Sequence, residues 1–265
     1  MKRTSVICLG LLLLAAAAWA DGPSAEQKPA VEQKKETGAR LVLKMEFEDE
    51  IKGNNSAVAL APSQTESKWG KVGGLEARTT MAKEGKAWQA EQRVAGKKGY
   101  AYSFGGDTEK RYIKVPFWED LDFGTEDFSV TFWLKTVSGS GHIVVFTTSA
   151  PYWGIWNAGG RIAFLIRDKV SLSTACIETG MSINDGNWHH VALVAGREGK
   201  AVIYVDGQVG ASGSIAGNKG SLSKPAPLGI GGYGYDKYYY DGLLDSFRIY
   251  RGALTKDEVQ AVFNE

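Results

Sequence analysis

From Leu41 to the C-terminus, apolar and polar side chains change places in short bursts with a period of two. In LVLKMEF, Leu41, Leu43, Met45 and Phe47 fall on one face. In FSVTFWLKT, Phe128, Val130, Phe132 and Leu134 point one way, and Ser129, Thr131, Trp133 and Lys135 the other. Successive side chains leave a strand on opposite faces, so this alternation marks half-buried strands. HIVVFTT, GIWNAGGRIAFLIR and KAVIYVDGQVGAS continue it, and Asp206-Gly207 between two alternating arms predicts a tight hairpin. Helical spacing is confined to the C-terminus. There Thr255-x-x-Glu258 reads as a capping box ahead of Val259, Val262 and Phe263, which share one stripe. Residues 52–99 are polar and glycine-rich with isolated tryptophans, and are expected to be mostly loop with one or two short strands. Many short strands and one terminal helix predict an all-β fold, two antiparallel sheets packed face to face.

The N-terminal residues break the pattern. MKRTSVICLGLLLLAAAAWA has a basic start, an apolar run and a small-x-small end, which predicts a signal peptide cleaved after Ala20. Its apolar run is short for a membrane span, and no other segment is long and apolar enough to cross a bilayer. Residues 21–40, rich in Pro, Glu, Gln and Lys, are expected to form a disordered linker ahead of one domain at 41–265. The expected location is secreted or periplasmic.

Export changes the charge and the cysteine count. Without Lys2 and Arg3, the 31 basic residues become 29, against 30 acids. A net charge near −1 offers no electrostatic footprint for nucleic acid, and nothing predicts membrane insertion. Cys8 leaves with the signal, so Cys176 stands alone and no internal disulfide can form. In the alternating run VSLSTACIETG it is expected to be a buried, inert thiol.

The run DGNWHHVALV (185–194) invites a catalytic or metal-binding reading of His189 and His190. In a strand, however, adjacent histidines point to opposite faces and cannot share one ion. Both faces of this run are otherwise apolar, as in a central strand covered on each side. The pair is expected to be structural, each imidazole hydrogen-bonded to its neighbours.

The same run, with "YVDGQ" following, resembles the signature of LamG-like jelly-roll domains of the concanavalin A-like lectin/glucanase superfamily. "VAGKKGYAYSF", "YIKVP", "EDFSVTFWLKT" and the closing "YDGLLDSFRIYRGALTKDEVQAVF" resemble that family's strands and final helix in order. The resemblance implies a concanavalin A-like jelly-roll β-sandwich with a short C-terminal helix. It leaves the ligand open, because this fold serves lectins, glycoside hydrolases, adhesion modules and scaffolds.

A hydrolase on this fold needs paired carboxylates facing one groove, and the superfamily's glucanases carry them on one strand as E-x-D-x-(x)-E. The acids of WEDLDFGTEDF (118–128) are irregularly spaced around Gly124 and read as a turn. Glu46 and Glu48 share a face but lack a third acid. No nucleophile elbow or phosphate loop is present. The expectation leans away from catalysis, with a cryptic glycoside hydrolase as the third reading.

Asp245, in GLLDSFRIY, alternates with Leu243, Phe247 and Ile249 and so falls on an apolar face, where an isolated carboxylate needs compensation. Two sources are open: backbone N–H groups of a turn, or a structural Ca²⁺, which favours oxygen ligands. The resemblance implies a Ca²⁺ joining the first strand to the last, with Glu48, Asp49 and Asp245 at the matching positions.

Two aromatic stretches offer a ligand surface. SAPYWGIWN (149–157) supplies Tyr152 and Trp153, with Trp156 expected in the core, and GGYGYDKYYYDG (231–242) supplies Tyr233, Tyr235 and Tyr238. Rings exposed on loops can lie flat on the C–H faces of sugars. The alternative is that the tyrosines only cover the edge of the core. The preferred partner is extracellular or cell-wall carbohydrate, and the alternative is an extracellular protein bound by an adhesion or scaffold domain. Oligomeric state is not legible.

Overall fold

The computed structural model describes residues 38–47, 93–115, 117, 119–232 and 237–265. The predicted signal peptide, nearly all of the linker, most of segment 52–99, and Glu48, Asp49, Tyr233 and Tyr235 lie outside the described residues. Among those described, the strands run β1 (Arg40–Met45), β2 (Arg93–Ala95), β3 (Tyr100–Gly105), β4 (Ile113–Val115), β5 (Phe128–Lys135), β6 (Ser140–Phe146) and β7 (Tyr152–Ala158). They continue as β8 (Arg161–Arg167), β9 (Ala175–Glu178), β10 (Trp188–Gly196), β11 (Lys200–Val205), β12 (Gln208–Ser214), β13 (Leu228–Ile230) and β14 (Asp241–Arg251). A one-turn helix α1 (Gly106–Glu109), absent from the expected elements, follows β3, and α2 (Lys256–Asn264) closes the chain.

The strands form two antiparallel sheets, as the alternation predicts. One has eight strands, in the order β12-β11-β10-β5-β14-β3-β2 with β1 also on β14, and the other has six, in the order β4-β13-β6-β7-β8-β9. The eleven-residue β14 is long enough to serve two partners on one side. Its first half pairs with β3 and its second half with β1. The inward faces meet in one apolar core built around Phe128, Phe132, Trp153, Phe164, Phe247 and their aliphatic neighbours. The removal of this apolar area from water is the main force holding the sheets together.

The outer face of the eight-stranded sheet is covered by α2. Thr255 and Glu258 form the predicted capping box, which satisfies the first orphan N–H groups of the helix. Val259 and Val262 pack on Ala192, Val194, Tyr204 and Tyr250 in a second, smaller cluster. This is why β10 is apolar on both faces: one meets the core and the other meets the helix.

Alternation gave strands correctly but misplaced faces where a bulge intervenes. The register of β1 shifts between Leu41 and Leu43, so Leu41 joins the helix-side cluster while Leu43 enters the core. The register of β14 shifts between Asp245 and Arg248, with Ser246 at φ 48°. Phe247 and Ile249 therefore face the core, whereas Asp245 lies opposite Trp133 on the other face. Cys176 corrects a third expectation. It lies on the edge strand β9, whose inward residue is Ile177, and its thiol side is exposed.

Candidate functional site

The two histidines are divided between the faces of β10 and share no site. His189 lies opposite Leu134 and His190 opposite Trp133, on opposite faces of β10. His189 is held between two carboxylates, with Nδ1 2.8 Å from Asp206 and Nε2 3.0 Å from Asp185. Partial burial would lower its pKa, but the hydrogen bonds to Asp206 and Asp185 raise it above the ordinary value. His190 departs from expectation: among the described residues neither of its ring nitrogens has a hydrogen-bond partner. It lies under α2 between Trp133 and Phe263, at ring distances of 5.2 Å and 5.6 Å. Burial pushes its pKa down to about 4, so the imidazole is neutral at neutral pH.

Asp245 is fully buried and accepts hydrogen bonds at a turn. Its Oδ2 accepts the Lys98 N–H at 2.9 Å, and Ser246 Oγ donates to its Oδ1 at 3.3 Å. Burial pushes its pKa up, opposed by hydrogen bonds from the backbone of Lys98, Ser246 and Lys97. A β-carbon on Gly96 would sit 2.6 Å from Oδ2, so glycine is what lets the turn close over the carboxylate. Donors surrounding an anion fit a capping role, whereas a cation there would face the positive ends of those dipoles. No group of three metal-ligating side chains gathers among the described residues. Glu48 and Asp49, the other implied ligands, lie outside them.

The aromatic residues sort by strand face. In β7, Trp153 lies opposite Phe146 and packs at 4.9 Å from Phe128, with 2% of its surface exposed. It is core, and has no face to offer a ligand. Trp156, expected in the core, instead points outward and is half-buried. The two tryptophans are three residues apart and therefore must take opposite faces of one strand. Tyr152 shares the outward face with Trp156, and its hydroxyl bonds the hydroxyl of Thr174.

Trp156 anchors an outward-facing aromatic group. It is cross-strand partner to His142, and their rings lie 4.4 Å apart. The Trp156 indole folds over Gly154, where a β-carbon would sit 2.9 Å from Nε1. The segment leading into β14 then closes one side. Tyr238 accepts the His142 backbone N–H at 2.7 Å and sets its ring 5.9 Å from the imidazole. That approach needs Gly141, at φ 140°, since a β-carbon there would meet the Tyr240 backbone at 2.7 Å. Asp107 of α1 accepts the Tyr239 N–H at 2.9 Å and pins the same segment. Tyr238 is 46% exposed, with Lys237 Nζ 4.8 Å from its ring centre. Across the sheet the row runs from His142 through Trp156 and Ala163 to Glu178, which is ion-paired with Arg161.

Burial pushes the His142 pKa down to about 4, against the pull of Asp107, so this imidazole too is neutral at neutral pH. The face thus presents the half-buried Trp156 ring and the exposed Tyr238 ring, with the buried, neutral His142 imidazole as their support and a charged rim of Lys237, Arg161 and Glu178. Flat rings stack on C–H surfaces and the rim can orient hydroxyls. Of the expected ligand residues, Tyr238 belongs to this group and Tyr152 lies further along the same face. Sequence reasoning missed Trp156 and His142. The signal was Gly154-x-Trp156, a strand glycine two residues from a large ring on the same face.

A model of the concanavalin A-like lectin/glucanases superfamily matches residues 107–260. No curated protein matches the chain. Among solved structures, the binding domain of Paraclostridial Mosquitocidal Protein 1 superposes with a TM-score of 0.63 at 18% identity, covering 85% of this chain and 52% of that one. The receptor-binding domain of botulinum neurotoxin C/D mosaic serotype gives 0.59 at 13% identity, covering 84% and 51%. The chain thus spans about half the length of these toxin domains. Domain 4 of AbnA, a GH43 extracellular arabinanase from Geobacillus stearothermophilus solved with arabinotriose, gives 0.58 at 20% identity, covering 84% of this chain and 98% of that domain. At these identities the likeness concerns the fold.

Proposed function

Because the chain belongs to the concanavalin A-like lectin/glucanase superfamily, we propose that it is a non-catalytic binding module for extracellular or cell-wall carbohydrate. The observation that carries this reading is the outward-facing Trp156 ring on strand β7, backed by the buried His142 imidazole and flanked by the exposed Tyr238 of the segment leading into β14. A sheet-borne ring is ordered before the ligand arrives, so little conformational entropy is lost on binding. The arabinotriose complex of a domain with the same fold supports the reading, although fold alone does not select a ligand. Three of the acids that could suggest hydrolysis are held in ion pairs: Asp120 with Arg40, Glu126 with Arg251 and Glu46 with Arg248.

Export through the predicted signal peptide belongs to the same proposal, and no described helix is long and apolar enough to cross a membrane. A structural Ca²⁺ at Glu48, Asp49 and Asp245 is the weaker proposal. The cost of burying Asp245 speaks for it, and the turn that already donates to both carboxylate oxygens speaks against it. An array of cell-wall and extracellular glycans tests the main proposal. Binding to a defined glycan set supports it, and silence across the array refutes it in favour of a protein partner.

A further inference from the structure

The loop between β8 and β9 reverses the usual arrangement of a surface loop. Leu172 is 94% exposed and Val170 is 78% exposed, while the polar atoms around them turn inward. The buried Asp168 carboxylate accepts the N–H groups of Val170 at 2.9 Å and Ser171 at 2.6 Å. Its other oxygen accepts the Gly220 N–H at 2.6 Å. Arg167 Nε donates to the Ser171 carbonyl at 3.0 Å, and Ser171 Oγ donates to the Gly217 carbonyl at 2.6 Å. Asn218 Oδ1 accepts the Asp168 N–H at 3.2 Å and completes the lock to the neighbouring loop.

Three consequences follow. The tip is already ordered, so two aliphatic side chains can be buried elsewhere at little entropic cost. The Val170 N–H and both backbone groups of Ser171 already have partners, which lowers the cost of carrying them toward an apolar medium. The flanks are basic: Arg167 at the end of β8, Lys169 on the loop, and Lys219 between the two residues that tie the loops together. Two acids lie in the same region: Asp168, whose carboxylate is taken up by the N–H groups of Val170, Ser171 and Gly220, and Glu198, at 4.0 Å from Lys219 in an exposed pair. The outward-facing charge at the tip is therefore basic, although the local excess is small.

We propose that this tip docks the domain on an anionic phospholipid surface, with Val170 and Leu172 entering the headgroup boundary and Arg167, Lys169 and Lys219 facing the lipid phosphates. A protein interface would need several hundred Å² of matched surface on each side. This tip is a convex pair of side chains with Ser171, Ser173 and Thr174 beside it, a shape that suits a deformable bilayer better.

The test is co-sedimentation of the chain without its predicted signal peptide, residues 21–265, with phosphatidylcholine vesicles, with and without phosphatidylglycerol, at low salt. Wild type, Leu172→Ser and Lys169→Glu are compared side by side, so contributions from elsewhere in the chain cancel. The expected result is partitioning onto the anionic vesicles alone, reduced roughly tenfold or more by Leu172→Ser, as for a lost buried leucine. Lys169→Glu should also weaken it, and added salt should do the same. Both variants should melt with wild type, because their side chains are exposed. Equal partitioning of Leu172→Ser and wild type would overturn the proposal, as would equal binding to uncharged vesicles. A chain that ignores both vesicle types would overturn it as well.

Discussion

The Trp156 indole rests on Gly154, so close that a single added methyl group on the glycine would lie 2.9 Å from the ring nitrogen. The glycine is therefore part of the candidate site although it contacts no ligand. Gly154→Ala is expected to displace the ring and crowd the Val144 carbonyl, costing about 1–3 kcal/mol in urea unfolding. Glycan retention should fall with it. Trp156→Ala leaves the backbone alone and should lose retention with a smaller change in stability.

Two buried histidines make the fold sensitive to acid. His142 and His190 have folded-state pKa values of about 4, below the ordinary value near 6.5. Between those values the unfolded chain binds protons that the folded chain refuses, so stability is full above pH 6.5 and falls as the pH drops toward 4. Each histidine can withdraw up to ~3 kcal/mol over that range. His190→Leu, which removes a buried ring without hydrogen-bond partners among the described residues, should flatten the pH dependence of urea unfolding and raise stability near pH 5. An unchanged acid slope would contradict the burial of the ring.

His189 works in the opposite sense. Its folded pKa is raised by Asp206 and Asp185. Its contribution is complete below the unfolded value near 6.5 and disappears as the pH rises through the folded value. His189→Gln should therefore cost more stability at pH 6 than at pH 9, measured by urea unfolding. The pair is partly exposed, so the difference should be small and decrease with salt.

Asp245 separates a turn cap from an ion. If the Lys98 N–H contact accounts for its burial, Asp245→Ala leaves donors unpaired and costs about 1–3 kcal/mol, and chelation of the wild type has no effect on Tm. A reversible drop of Tm with EDTA, abolished in Asp245→Asn, would instead establish the Ca²⁺.

Much of this architecture is legible in side-chain alternation because strands buried on one face must repeat with a period of two. The phase is not legible where one extra residue enters. The bulge at Ser246 sends Asp245 and Phe247 to opposite faces, and nothing local in LLDSFRIY announces it. Whether a strand is central or at an edge is equally silent. That is why Cys176 was expected inside and lies outside on β9. At the candidate site, Tyr238 and Tyr152 could be chosen by composition. Separating Trp153 from Trp156 required knowing that β7 spans both, since one of the pair must then face the core.

The most direct test is electrophoresis of wild type, Trp156→Ala and Trp153→Phe through gels containing a soluble polysaccharide identified on the glycan array. Retarded migration of wild type and Trp153→Phe, lost in Trp156→Ala while its Tm stays close to wild type, is the predicted result. Undiminished retardation of Trp156→Ala would show that carbohydrate, if bound, is bound elsewhere, and would contradict the assignment of the outer sheet face.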